Sequence, residues 1–175
     1  MSDIQIASGY QVGLIGRVTE MHMAYYGKSS GFGQRFESVV AAGLASFCDR
    51  LHHPKNQIWL ALQDQHIEGS VAIDGEDLGS NTAHLRWFIM NEQVRGTGVG
   101  RQLLSMALQF VDEQQFDETH LWTFSGLNAA RHLYDSHGFQ LMEEKMGNQW
   151  GTKVLEQRFC RNTPRSLGAA PVRRT

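Results

Sequence analysis

The sequence predicts a mixed α/β domain, with about seven strands in one sheet and helices on both of its faces. Three observations lead there. Apolar periodicity along the 175 residues gives the order β-α-α-β-β-β-α-β-α-β-β. Three consecutive strands in the middle of that order exclude a doubly wound fold, in which strand and helix alternate throughout. A stretch with glycine on alternate positions, Val94-Arg95-Gly96-Thr97-Gly98-Val99-Gly100-Arg101, separates a long apolar strand from an amphipathic helix.

Residues 10–17, Tyr10-Gln11-Val12-Gly13-Leu14-Ile15-Gly16-Arg17, read as a short first strand. A helix follows over 18–26, with Met21 and Tyr25 four apart, and 27–31 is a Gly/Ser loop. The second helix runs over about 33–51, where Phe36, Val39, Val40, Gly43, Leu44 and Phe47 recur at three and four. His52-His53-Pro54 ends it, because proline disfavours helix in the residue before it. The period then changes to two. Strands are expected over 57–62, 66–74 and 82–90, the last delivering the chain into the glycine stretch. A helix over 99–114 repeats apolar residues at Val99, Leu103, Met106 or Ala107, and Phe110. A β-rich run over 119–124, a short helix over 127–137 closed by Gly138, and strands over 139–146 and 153–159 complete the order.

Length makes residues 1–160 one domain, large enough to bury a core. Up to position 160 the chain carries 12 basic and 18 acidic residues, a net of −6, while Arg161, Arg165, Arg173 and Arg174 make the last fifteen residues +4. An acidic body disfavours nucleic acid, which needs a basic face, and suits a cationic acceptor such as an amine. Residues 161–175 hold two of the three prolines and few large apolar side chains, so they read as a basic, disordered tail. No apolar run approaches a membrane span, and no basic start with an apolar stretch marks a signal, so a cytoplasmic address is expected. Cys48 and Cys160 read as reduced thiols, and His52-His53 and His132/His137 lack a third ligand at zinc spacing, so no metal is expected. The four tryptophans read as core or cleft-lining aromatics.

The glycine stretch offers bare backbone N–H groups and a helix N-terminus, which is how a chain holds a phosphate. An ordinary Gly-rich turn would carry the same letters. Walker loops end in Gly-Lys-Ser/Thr and no lysine stands here, while a dinucleotide fingerprint needs glycine at the position of Arg101. What fits is Arg-x-x-Gly-x-Gly, as Arg95, Gly98 and Gly100, with an overlapping frame at Gln93, Gly96 and Gly98. This resembles the acyl-CoA pyrophosphate loop of the GCN5-related N-acetyltransferase (GNAT) superfamily, whose topology is also the order read above. Ala130-Arg131-His132-Leu133-Tyr134-Asp135-Ser136-His137-Gly138-Phe139 is similar to that superfamily's Ala-x-x-Leu-Tyr-x-x-x-Gly-Phe run. Leu121-Trp122-Thr123, with Gly13 and Gly16, looks more narrowly like the acetyltransferase half of MarR-type regulator fusions.

The resemblance implies transfer of acetyl from acetyl-CoA, as co-substrate and without metal, to a small-molecule or peptide amine by direct attack. It implies that Arg95, Gly96, Thr97, Gly98, Val99, Gly100 and Arg101 hold the pyrophosphate, and that backbone N–H groups of Phe88, Ile89 and Met90 polarise the thioester carbonyl. Tyr134 takes the position of the general acid that protonates the leaving thiolate, although a core tyrosine on an amphipathic helix would look the same. Two positions depart from the pattern. The cofactor-binding asparagine is expected at Leu127, with Asn128 one place late, and the position of a glutamate base is Trp122. An ammonium must still lose its proton before attack. His84 is the first candidate base, then His22, Glu20 and Glu92, with transfer through ordered water a further route. Met21, His22, Met23, Tyr25, Tyr26 and Phe32 lie where the family builds its acceptor site, and Met21 and Tyr25 serve equally as core. The scaffold also allows a homodimer. A non-catalytic acyl-CoA sensor on the same scaffold is the alternative that the two departures favour.

Overall fold

The structure is a computed structural model and describes residues 3–165. Seven strands form one mixed sheet in the order β1-β2-β3-β4-β5-β7-β6. They are β1 (Gln5–Ser8), β2 (Gln57–Gln63), β3 (His66–Asp74), β4 (Thr82–Met90), β5 (Glu118–Phe124), β6 (Gln140–Gly147) and β7 (Val154–Asn162). The helices are α1 (Leu14–Ser30), α2 (Gln34–Cys48), α3 (Val99–Glu113) and α4 (Asn128–Ser136). Neighbouring strands run antiparallel except β4 and β5, which are parallel.

The sheet separates two apolar layers. On one face Val71, Ile73, Ala83 and Leu85 pack under α3 through Leu103, Leu104, Ala107 and Val111. On the other, Ile58, Leu60, Ala72 and Ile89 meet Leu14, Val18, Phe36, Leu44 and Phe47 of α1 and α2. Burying one such leucine or phenylalanine stabilises the fold by roughly 1.5–3 kcal/mol, so both layers anchor the sheet edges that frame the cleft described below. The apolar residues three and four apart in each helix thus face the sheet, as their spacing predicts.

Several boundaries differ from the sequence reading: α2 stops at Cys48 rather than 51, residues 27–30, expected in a loop, continue α1 until Gly31 ends it at φ +67°, and the two ends of the chain differ most. The first strand is 5–8, paired with β2 from Gln5↔Leu62 to Ser8↔Trp59, and residues 10–17 are a turn followed by the start of α1. The reason lies at two glycines. Gly9 and Gly13 have φ of +93° and +89°, which breaks extended backbone, and Gly13 caps α1 so that Leu14 enters the core as a helical residue. Alternation of apolar residues there was coincidental: Tyr10 and Val12 are exposed.

At the other end, Arg161 and Asn162 belong to β7 rather than to a tail. The Arg161 guanidinium is buried and donates to both carboxylate oxygens of Asp112 on α3, at 2.9 and 3.1 Å. The Thr163 N–H donates to the Asp117 carbonyl at 3.0 Å. The expectation for 166–175 lies outside the described residues.

Candidate active site

β4 and β5 pair only through Thr82↔Glu118, Ala83↔Thr119 and His84↔His120. Beyond His84 they diverge, and a cleft opens in the sheet. A bulge in β4 contributes to the divergence. Its register with β3 shifts between Ser70 and Ala72, and Trp87 sits at φ +49°, a left-handed conformation costly for a residue with a side chain. The Ser70 hydroxyl, fully buried, holds the bulge by donating to the Trp87 carbonyl at 2.7 Å. The bulge also sets consecutive residues on one face: the Arg86 guanidinium stacks over the Trp87 ring at 4.1 Å. Gly43 of α2 leaves room for the pair, since a Cβ there would stand 3.2 Å from the Trp87 ring and 3.3 Å from Arg86 Nη2.

Two cavities meet at this cleft. The larger, about 430 Å³, lies between the end of β4, the N-terminus of α3 and α4, with Arg95, Gly98, Arg101 and Leu133 in its wall. Gly98 caps α3 at φ +88°, and no side chain caps the helix, so its first-turn N–H groups are left for a ligand. A Cβ on Gly96 or Gly98 would meet nothing within 4 Å, so these glycines serve backbone conformation and open space. Arg95 braces the loop: Nε and Nη2 donate to the Met90 carbonyl at 3.1 and 2.9 Å, and the guanidinium lies 4.3 Å from the Tyr25 ring centroid. An uncapped helix N-terminus framed by two arginines fits a pyrophosphate.

The smaller cavity, about 180 Å³, fills the gap between β4 and β5 under α1 and α2. Its walls are mostly aromatic, with Phe36, Trp87, Trp122, Phe124 and Trp150 among them. Tyr26 and Phe88 line both cavities and so mark where they join.

Of the residues expected to hold the cofactor, Phe88, Ile89, Met90, Arg95, Gly96, Gly98, Gly100 and Arg101 line the larger cavity. Three do not. Thr97 turns inward, its hydroxyl donating to the Val94 carbonyl at 2.6 Å, and Val99 is buried beneath the sheet. Asn128, the first residue of α4, faces a separate pocket of about 40 Å³ with Gly126 and Arg131, while Leu127 occupies the larger cavity's wall.

Tyr134 is buried against Phe88, Phe139 and Phe159 and lines the smaller cavity. Burial, with a smaller contribution from Tyr26, raises its pKa far above that of free tyrosine, which keeps the phenol protonated. Among the described residues its hydroxyl has no hydrogen-bond partner. Tyr26 is likewise raised by burial.

Two histidines share the smaller cavity. His84 Nδ1–H donates to Asp77 at 2.6 Å, and its ring meets Trp122 edge-on. Burial lowers its pKa, against the opposing pull of Asp77. His22 stands nearer the junction, its ring 5.9 Å from that of Tyr26. Its Nδ1–H donates to the Val18 carbonyl at 2.7 Å, which leaves the Nε2 lone pair without a partner among the described residues. Burial pushes its pKa down to about 4, the hydrogen bond to Val18 opposing. Glu20 instead pairs with Arg17, at 2.9 Å. Glu92 begins a 3₁₀ turn, Glu92–Val94, and lines neither cavity.

Trp150, read from the sequence as a core or cleft-lining aromatic, joins the cavity wall from the β6–β7 loop. Sequence spacing gave no sign of two further features. Arg86 and Gln149 join the same wall from β4 and that loop. Glu118, His120 and Cys160 bring three potential metal-ligand atoms within 4.8 Å of one another across β5 and β7. The other ring nitrogen of that histidine lies 3.2 Å from the Arg158 guanidinium, a cation that opposes a second one.

Fold and site together define an acyl-CoA-binding transferase scaffold. The model of the acetyltransferase (GNAT) family matches residues 17–139, and the chain belongs to that family. It is thus an acetyl-CoA-dependent N-acetyltransferase. No curated protein matches the sequence. Solved structures share the fold at low identity. A GNAT-family acetyltransferase from Staphylococcus aureus Mu50 is 18% identical, with a TM-score of 0.73 over 93% of this chain and 100% of that one. YncA from Salmonella typhimurium, solved with its cofactor acetyl-CoA, is 14% identical, with a TM-score of 0.75 over 97% and 99%. The ribosomal-protein-S18-alanine N-acetyltransferase from Escherichia coli is 14% identical, with a TM-score of 0.70 over 94% and 96%. Among the described residues, no helix is long and apolar enough to cross a membrane.

Proposed function

We propose that the chain acetylates a primary amine by direct attack, with acetyl-CoA in the larger cavity and the amine in the smaller. One observation carries this reading: two cavities of different chemistry join at Tyr26 and Phe88, beside a stretch of β4 that β5 does not cover. Bound acetyl-CoA supplies an activated acetyl group and a thiol leaving group.

The residues of the chain supply the rest. The first turn of α3, with Arg101, neutralises the pyrophosphate. The β4 edge beyond His84, which no strand covers, offers N–H groups to the carbonyl oxygen as negative charge develops on it. Tyr134 O–H donates a hydrogen bond to the departing sulfur. The pKa of a thiol is ~8.5, below that of the raised phenol, so Tyr134 remains a phenol overall: its hydrogen bond stabilises the departing thiolate, and the proton the thiol gains is the one the amine nitrogen loses as the amide forms. The amine arrives as an ammonium of pKa ~10 and sheds one proton before attack. His22 Nε2 and His84 are the cavity's basic nitrogens, and His22 lies closer to the junction. The balance is one ammonium and one thioester converted to an amide, a thiol and a released proton.

Calorimetry with acetyl-CoA, followed by thiol-release assays on an amine panel, tests the reading. Saturable binding with acceptor-dependent thiol release is expected. Absence of binding at high micromolar ligand overturns it, and binding without turnover across the panel assigns the chain as a sensor instead.

A further inference from the structure

The smaller cavity contains a cation whose hydrogen-bonding capacity the protein leaves unused. Arg86 stands in its wall, half-buried on β4 between Gly43 of α2 and the face of Trp87. A guanidinium has five N–H donors. Among the described residues none of the five finds an acceptor at hydrogen-bond distance. The carboxylates of Asp74 and Asp77 come to Nη1 at 3.7 Å each, beyond hydrogen-bond distance.

Both carboxylates are committed elsewhere. Asp74, with no exposed side-chain surface, takes two hydrogen bonds from Arg50, at 2.6 and 3.1 Å, and two from the backbone N–H groups of Glu76 and Asp77. Asp77 is held by His84 at 2.6 Å. Glu76 completes the network through Arg50 and Asn56, outside the cavity. Burial, together with repulsion from Arg50, lowers the Arg86 pKa against the opposing pull of Asp77 and Asp74. With no hydrogen bond made by the guanidinium among the described residues, its donors are available to an anion.

The remaining wall restricts the ligand further. It is dominated by aromatic rings and, among the described residues, includes no carboxylate. Polyamines and aminoglycosides, which carry several ammonium groups, would find no counter-charge there. A cavity of ~150 Å³ accommodates benzene, so about 180 Å³ admits one ring-sized or branched side chain with its head group.

We propose that the acceptor is a free α-amino acid with an apolar or aromatic side chain, its carboxylate held by Arg86 and its side chain by the aromatic wall. The inference rests on the acetyl transfer proposed above and names the acceptor class for it. The amino group then points along the cavity toward His22, Tyr26 and the junction with the cofactor cleft. Arg86 is a substrate-binding residue in this arrangement and exchanges no proton.

The test compares acceptors that share a side chain and differ in the carboxylate: phenylalanine, phenylalaninamide and phenethylamine, then leucine and leucinamide, with spermidine as the polycation. Charge-assisted hydrogen bonds lost with the carboxylate predict a kcat/KM for the free acids roughly 10- to 100-fold above that of the amides. Arg86→Met should bring this acid-to-amide ratio toward unity, and Arg86→Lys should restore part of it. Equal or better turnover of the amide and decarboxylated amine by the unaltered protein overturns the inference, as does an unchanged ratio in Arg86→Met. If Arg86→Met does not fold, the ratio in the unaltered protein decides. Calorimetry separates the two levels of the argument. Loss of acetyl-CoA binding removes the proposed reaction itself, whereas intact acetyl-CoA binding with carboxylate-free amines preferred removes only the amino-acid assignment.

Discussion

The two cavities are built by opposite means. On the side proposed for the cofactor, the phosphate cradle is made largely of backbone and comes from one continuous stretch, a strand end, two glycines at positive φ and an uncapped helix N-terminus, while side chains of α1 and α4 close the cavity around it. The acceptor side is made of side chains from α1, α2, β4, β5 and the β6–β7 loop, spread from His22 to Trp150. A phosphate looks alike in every acyl-CoA, so a fixed backbone cradle serves it. An acceptor must be told from its competitors, and that needs shape and charge that side chains provide. The comparison teaches that the donor can be read from a short motif and the acceptor only from the fold.

Four predictions probe this division, in falling order of effect. Tyr134→Phe should reduce turnover roughly 10²- to 10⁴-fold, the range of general acid–base contributions. Calorimetric affinity for acetyl-CoA should fall far less than turnover, because Tyr134 is not among the residues that line the larger cavity. Turnover equal to the parent would remove Tyr134 from the chemistry.

Gly98→Val acts on the other cavity. A β-branched residue at φ +88° pays ~1–2 kcal/mol in strain, and its side chain enters open space before the helix N-terminus. Acetyl-CoA should bind about tenfold more weakly. Unaltered affinity would show that the loop is not the cradle.

The third concerns pH. His22 has a pKa of about 4 in the folded protein against the ordinary 6.5 of a histidine in water, so the unfolded chain binds its proton more readily. Stability from this group is complete above pH 6.5 and falls as the pH drops toward 4. The full loss is about 3 kcal/mol. Denaturant titrations of the parent and of His22→Gln should diverge over this window, the variant showing the shallower decline. Parallel curves would mean that His22 is not held neutral.

Gly43→Ala should have the smallest effect. Its Cβ would press on Trp87 and Arg86 at 3.2 and 3.3 Å, so KM for the acceptor should rise by a few-fold at most, without change in acetyl-CoA affinity. A change confined to acetyl-CoA binding would contradict the separation of the cavities.

Much of the fold was legible because most elements obey a single period. β3 and β4 fall on the boundaries that alternation predicts, and α3 carries its apolar residues at helical spacing beneath the sheet. The first strand was misplaced because Tyr10, Val12 and Leu14 imitate alternation, while the positive φ of Gly9 and Gly13 is a backbone property that letters do not reveal. Arg161 was assigned to the tail on composition, which cannot foresee a carboxylate brought to it from α3. The smaller cavity was the least legible. Tyr26 and His22 were suggested by position, but Arg86 matters only because the bulge at Trp87 sets neighbouring residues on one face, and that shift leaves no mark in the pattern.

That bulge has a further consequence. In an unbroken ladder, strands exchange hydrogen bonds along their whole length, and no amide hydrogen is spare. Here the parting of β4 from β5 after His84 leaves one edge of β4 without a strand partner while β3 covers the other, and the groups on the open edge depend on whatever occupies the cleft. The sheet is thus finished by its ligand. Those main-chain hydrogens between Leu85 and Met90 that point away from β3 should exchange with solvent at rates that report occupancy, a signal separate from catalysis.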